Sequence, residues 1–148
     1  MISIAKLMPS DRDAWERLFR AYIHFYQRVE PDEMYERAWQ EFQADARMHA
    51  FGARSDGRLV GITHFLVHAS TSAPDADVCY LQDLFTVPDV RGRGVGRKLI
   101  EAVAEWARDR GCSRVYWNTH ESNSTARRLY DKVAENRGFI RYQIELPR

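Results

Sequence analysis

The chain has 148 residues, 45% of them hydrophobic and 29% charged, with a net charge of +1. That is long enough for one domain, residues 1–148, with a real core, and too evenly charged for nucleic acid to be the main partner. No apolar run approaches the about 20 residues of a membrane span, and the start, Met1 to Lys6, lacks the layout of a secretory signal, so a cytoplasmic chain with no membrane partner is expected.

The even balance hides an asymmetry. Residues 1–87 hold 9 Lys/Arg against 13 Asp/Glu, whereas residues 88–148 hold 13 against 8. A basic half suits an anionic cofactor and an acidic half a cationic substrate, although scattered solvated charge gives the same counts. Cys79 and Cys112 lie far apart with no C-x-x-C, and read as buried reduced thiols. His24, His49, His64, His68 and His120 show no metal-ligand spacing, so no metal is expected.

In chain order, Ile2 to Lys6 reads as a first strand, and Pro9-Ser10-Asp11 opens a helix whose broad apolar face runs from Trp15 to Tyr26. Pro31-Asp32 starts a second helix to about Ala44, with Tyr35, Trp39 and Phe42 on its apolar side. Glu30, Asp32, Glu33, Glu36 and Glu41 crowd this segment, as a solvated face or as a lip for a cation. His49 to Arg54 and Leu59 to Val67 read as strands joined by the turn Ser55-Asp56-Gly57. Val78 to Val87 is the longest strand. A helix over 92–110, a strand from Arg114 to Thr119, a helix from about Ser124 and a closing strand from Phe139 to Leu146 complete the pattern. The order β-α-α-β-β-β-α-β-α-β predicts an α/β (α+β) fold, a mixed central sheet with helices on both faces.

Between the longest strand and the third helix lies Arg91-Gly-Arg-Gly-Val-Gly-Arg97, with glycine at 92, 94 and 96. Alternate glycines let amides converge at a helix N-terminus, a site suited to a phosphate or pyrophosphate. It is not a Walker A loop, because Lys98 is flanked by Arg97 and Leu99, nor a dinucleotide fingerprint, because Arg97 stands where the third glycine would. What fits is R-x-x-G-x-G, as Arg91, Gly94 and Gly96.

That motif resembles the acyl-CoA-binding turn of the GNAT superfamily of N-acetyltransferases. The run Tyr80-Leu-Gln-Asp-Leu-Phe-Thr-Val87, Asn123 seven residues before Tyr130, and Ala126-Arg-Arg-Leu-Tyr-Asp-Lys132 are similar to its diamine and polyamine branch. The resemblance implies acetyl-CoA as co-substrate, wedged where strands Tyr80–Val87 and Arg114–Thr119 splay apart. Leu84, Phe85 and Val87 would meet the pantetheine arm, and amides of Arg91, Gly92, Arg93, Gly94, Val95, Gly96 and Arg97 the pyrophosphate. Asn123 would bind the arm and Arg127 (or Arg128) the nucleotide phosphates.

The reaction implied is direct acetyl transfer to a primary amine, with Tyr130 as the acid that protonates the departing thiolate. The branch commonly has Glu where Gln82 stands, and an amide is no base at neutral pH. Asp83 is left to bind the ammonium or relay a proton, with His64, His120 and Glu121 as other candidates. Strand alternation puts Gln82 and Asp83 on opposite faces. Tyr26, Trp39, Gln82 and Asp83 are the expected amine-binding residues, since aromatic faces and a carboxylate favour a cation. Polyamines, diamines, lysine-like amino acids and protein amino groups all fit such a site. The resemblance also implies a homodimer. The rival expectation is a domain that binds acetyl-CoA as a sensor without turnover.

Overall fold

The turn at Ser55-Asp56-Gly57 sets the register of the sheet. Asp56 (φ 52°) and Gly57 (φ 80°) both take the left-handed conformation that a two-residue hairpin needs, and Ser55 pairs with Arg58 across it. The computed structural model describes all residues 1–148, in two compact units, Met1–Asn118 and Thr119–Arg148.

The first unit is a five-stranded sheet in sequence order: β1 (Ile2–Lys6), β2 (His49–Ser55), β3 (Arg58–Ala69), β4 (Asp77–Thr86) and β5 (Val115–Tyr116). The first three pairings are antiparallel and β4–β5 is parallel. Helices α1 (Arg12–Phe25) and α2 (Asp32–Ala44) supply one aromatic core, and α3 (Val95–Asp109) a second.

The helices form for reasons legible in the chain. Trp15, Leu18, Phe19, Tyr22 and Ile23 recur at helical spacing on α1, and all are buried. A left-handed Gln27 (φ 56°) stops the chain just beyond it. Asp32 and Glu33 occupy the first turn of α2, where the helix dipole favours them. Asp11 stands at the N-cap of α1 without a capping hydrogen bond from its side chain. Its carboxylate accepts from the Met8 amide (2.7 Å) and pairs with Arg54, which ties the approach to α1 onto β2.

α3 buries Val95, Leu99, Ile100, Val103 and Ala107. Its first turn lies close on β3: a Cβ on Gly61 would stand 3.1 Å from both Leu99 Cδ1 and Val95 Cγ1, and 3.3 Å from the Phe85 carbonyl oxygen. Gly61→Ala is therefore expected to cost about 1–3 kcal/mol through overpacking, read as a lower urea midpoint with an unchanged slope.

Two bulges matter. Ala53 pairs with Gly61 and Arg54 with Leu59, so Val60 is an extra residue on β3. His64 pairs with Asp83 and Phe65 with Leu81, so Gln82 is an extra residue on β4.

The second unit holds α4 (Ser124–Val133), with Ala126, Leu129, Tyr130 and Val133 half-buried along one stripe. The closing strand expected over Phe139 to Leu146 does not form. Residues 134–148 carry no regular secondary structure, and Phe139, Ile140, Tyr142, Ile144 and Leu146 are exposed. Alternation marks a segment suited to a strand, but a strand also needs a partner for its backbone, and none of the five sheet strands pairs with this segment. Likewise β5 is only two residues of the expected Arg114–Thr119, because its ladder to β4 stops at Tyr80–Tyr116.

Candidate active site

Beyond Tyr80, β4 has a hydrogen-bonding neighbour on the β3 side only. The parallel ladder consists of Cys79–Val115 and Tyr80–Tyr116, while the β3 ladder continues to Thr86. The stretch Leu81–Thr86 therefore presents backbone donors and acceptors along an open edge, where a chain bearing amide groups can pair as a strand would. Leu84, Phe85 and Val87, the residues expected along the cofactor arm, are half-buried there.

The open edge runs straight into the glycine turn. A short 3-10 turn, Pro88–Val90, leads to Gly92 (φ 84°) and Gly94 (φ 81°), and Gly94 caps α3. The first helical hydrogen bond is Lys98 N–H to the Gly94 carbonyl, 3.0 Å. The amides of Val95, Gly96 and Arg97 thus precede any helical acceptor, at the positive end of the helix dipole. Arg91, Arg93 and Arg97 are exposed around them. Arg91 also reaches the Thr86 carbonyl (3.4 Å) and lies over the Phe85 ring, and Arg97 pairs with Glu101 (3.0 Å). Such a turn holds a doubly charged phosphate group without any base or nucleophile.

Nothing lies within 4 Å of a Cβ placed on Gly94, so Gly94→Ala meets backbone strain alone, about 1–2 kcal/mol. Where binding has to hold the turn in its curled form, this corresponds to about tenfold weaker CoA binding by calorimetry. Gly57→Ala, equally strained in the β2–β3 hairpin and equally unobstructed, should lower the melting temperature but leave CoA affinity alone.

Asp83 lies on the face of the sheet that carries α1 and α2. It sits directly opposite His64, and His64 Nδ1 is 2.8 Å from Asp83 Oδ2. Leu81, two residues back, pairs with Phe65, whose ring meets Trp106 of α3 on the other face. Strict alternation would give Leu81 and Asp83 one face; the extra residue Gln82 parts them. Gln82 itself is exposed and Asp83 nearly buried. The bulge thus lets one strand fill the α3 core and still aim a carboxylate at the helix pair.

Around Asp83 the aromatic wall is continuous. Tyr22 meets Phe85 (ring centroids 6.3 Å) and Tyr26 (5.0 Å), and Tyr26, at the end of α1, is half-buried beside Phe25. Trp39 is buried, its ring tilted against Trp15 at 5.0 Å, and belongs to the core rather than to an open face.

The acidic lip is largely spoken for. Glu30 pairs with Arg28, Asp32 with Arg20, Glu36 with Arg12 and Glu41 with Arg47. Arg12 holds the Glu36 carboxyl below the usual range, and Arg47 does the same for Glu41. Asp83 has no arginine or lysine beside it; its side-chain partner is His64.

At the rung where the β4–β5 ladder stops, His68 Nε2 lies 2.7 Å from the Tyr116 hydroxyl, and the Tyr116 and Tyr80 rings are 4.9 Å apart. Burial pushes the Tyr116 phenol up. Cys79 is buried and Cys112 half-buried, both free, and burial raises the Cys79 thiol to about 12. No three of the His, Cys, Asp and Glu side chains gather as a metal site would need.

The remaining expected residues belong to the second unit. Asn123 caps α4, its Oδ1 accepting from the Ala126 amide (3.4 Å), and its Nδ2 is 3.5 Å from Thr119 Oγ1. Arg127 donates to the Glu121 carbonyl (2.7 Å). Tyr130 is half-buried on the helix stripe. His120 and Glu121 lie exposed before the helix. The role of Trp15 beneath Asp83 was not legible in the chain: on α1 it reads as one more core aromatic, and its partner is 49 residues away.

The model of the acetyltransferase (GNAT) family matches residues 15–134. The chain is 34% identical over 146 residues to the D-amino-acid N-acetyltransferase HPA3 of Saccharomyces cerevisiae, covering 96% of this chain and 89% of that one. It is also 34% identical over 99 residues to the thialysine N-epsilon-acetyltransferase of Mus musculus, covering 62% and 56% of the two chains. Among solved structures it superposes on a ribosomal-protein-alanine N-acetyltransferase from Brucella melitensis biovar Abortus 2308 with a TM-score of 0.81 at 27% identity, over 99% of this chain and 100% of that one. The chain therefore belongs to the acetyltransferase (GNAT) family, whose enzymes take the acetyl group from acetyl-CoA.

Proposed function

We propose that this enzyme transfers the acetyl group of acetyl-CoA directly to the primary amine of a small cationic acceptor, such as a lysine-like or D-amino acid, a diamine or a polyamine, in a ternary complex. One observation carries the reading. A nearly buried carboxylate, Asp83, lies on the strand whose open edge suits the pantetheine arm, two residues before Phe85, whose ring meets Tyr22 and through it Tyr26. A carboxylate between aromatic faces selects an ammonium group.

In this reading the amides of Val95, Gly96 and Arg97, with Arg91 and Arg93, hold the pyrophosphate, and the β4 edge holds the arm through its amides. Asn123 and Arg127 are assigned to the arm and the nucleotide phosphates. An alkyl ammonium has a pKa near 10.4, so it arrives protonated and must lose a proton to become a nucleophile. Asp83 draws the ammonium in, and water beside it carries the proton away. The amine nitrogen then attacks the thioester carbon. A β4 backbone N–H stabilises the charge on the carbonyl oxygen, and the C–S bond breaks as Tyr130 protonates the thiolate. Exposed Gln82 lines the entrance. A homodimer accompanies this reading, because the exposed apolar residues between Phe139 and Leu146 are surface that a second copy would cover.

The test is CoA thiol release from acetyl-CoA with thialysine, D-lysine, L-lysine, putrescine, spermidine, an aminoglycoside and a histone-tail peptide. Turnover of a small cationic amine is expected. Turnover of the peptide alone would overturn the small-acceptor reading, and silence across the panel would overturn amine transfer.

A further inference from the structure

His64 is fully buried and lies between two partners of opposite character. Trp15 Nε1 is 3.0 Å from His64 Nε2, and Asp83 Oδ2 is 2.8 Å from His64 Nδ1. The indole nitrogen has a hydrogen and no acceptor, so Nε2 must present its lone pair. Nδ1 therefore carries the ring hydrogen and donates it to the carboxylate. Phe42 stacks on the imidazole (4.0 Å, 21°) and Phe19 meets it edge-on (4.8 Å), which holds the ring plane. The Thr63 hydroxyl donates to the Asp83 carbonyl (2.8 Å) and pins the backbone beneath.

We infer that His64 is a positioning residue, held by Trp15 as the neutral Nδ1–H tautomer, that fixes Asp83 Oδ2 from behind and turns the carboxylate toward the substrate ammonium. The inference rests on the reading that Asp83 meets the amine. Two consequences follow from the donor pattern. Asp83 remains an anion without a buried counter-cation, which preserves its attraction for the incoming ammonium. The imidazole also takes no proton from the carboxylate: a hydrogen on Nε2 would point at the indole N–H. The ammonium proton therefore leaves to water rather than inward, and His64 is not the base.

Nitrogen NMR of the histidine-labelled enzyme at pH 7.5 tests the tautomer directly. One protonated nitrogen, Nδ1, and a lone-pair Nε2 are expected for His64; an Nε2–H ring or an imidazolium overturns the inference. In Trp15→Phe, Nδ1 still donates to Asp83 while Nε2 is free to take a proton, so a doubly protonated ring should appear as the pH is lowered, and an unchanged spectrum would remove the indole from the account. Kinetics with thialysine, or with D-lysine if it turns over faster, test the positioning. His64→Leu should raise the amine KM by about tenfold while leaving the acetyl-CoA KM unchanged. His64→Asn, whose amide can donate near the Nδ1 position, should recover most of that loss. A folded His64→Leu enzyme with the original amine KM, or His64→Asn no better than His64→Leu, overturns the role of His64. Asp83→Asn separates the two readings. If it leaves the amine KM unchanged, the assignment of Asp83 to the amine fails; if it raises the KM while folded His64→Leu does not, only the positioning fails.

Discussion

Tyr130→Phe is expected to lower kcat by about 10²-fold with acetyl-CoA affinity unchanged. The substitution removes one oxygen from a half-buried ring on the stripe of α4 and leaves its apolar body in place. A positioned general acid contributes about 10²–10⁴-fold. The lower end applies here, because an alkyl thiolate with a pKa near 8.5 leaves far more readily than an alkoxide. Steady-state kinetics on the best amine of the panel, together with the shift in melting temperature caused by CoA, check both halves. A kcat within twofold of the parent enzyme would return Tyr130 to the role of a packing residue. Loss of the CoA-induced shift would mean that the hydroxyl holds the cofactor rather than acting on the leaving group.

Trp15→Ala carries the largest expected effect on stability. Trp15 is fully buried and touches Phe19, Trp39 and Phe42 at ring separations of 5.5, 5.0 and 5.9 Å. Removing such a side chain costs about 3–5 kcal/mol in lost burial and residual cavity. The change also leaves His64 Nε2 without its donor, about 1–3 kcal/mol more for a buried acceptor. Against a total of about 5–15 kcal/mol for a domain, the variant should melt at least about 10 °C lower or fail to fold. Trp15→Phe fills most of the volume and should keep the larger part of that stability. If the two variants melt alike, the cost lies in the lost N–H rather than in the cavity.

The amino-acid pattern by itself determined most of the elements and the glycine turn. Trp15 to Ile23 at helical spacing, Asp56-Gly57 between two alternating runs, and glycines at 92, 94 and 96 before an amphipathic run are each local signals, set by backbone sterics and the side-chain period. Their elements appear within a few residues of where they were expected. Strand alternation, applied to β4, gives Leu81 and Asp83 one face, and the bulge at Gln82 parts them; it left no sign in the chain, because a bulge exists only relative to a neighbouring strand. The alternation of Ile140, Tyr142, Ile144 and Leu146 is equally local, and no strand forms there, because pairing depends on what lies alongside and not on the segment itself.

Only the tertiary structure decided what holds each carboxylate. In the chain, Asp83 is already the acid expected to meet the ammonium, one among 21 Asp/Glu residues, and the cluster from Glu30 to Glu41 reads as a solvated face or as a lip for a cation. Folding pairs most of that cluster with arginines from α1 and neighbouring loops. It also brings His64, 19 residues before Asp83, and Trp15, 49 residues before His64, into one line of hydrogen bonds. Contacts between residues so far apart have no local signature. They follow from which faces of β3 and β4 the bulges at Val60 and Gln82 turn toward the helices, and the long-range packing of the sheet sets that choice.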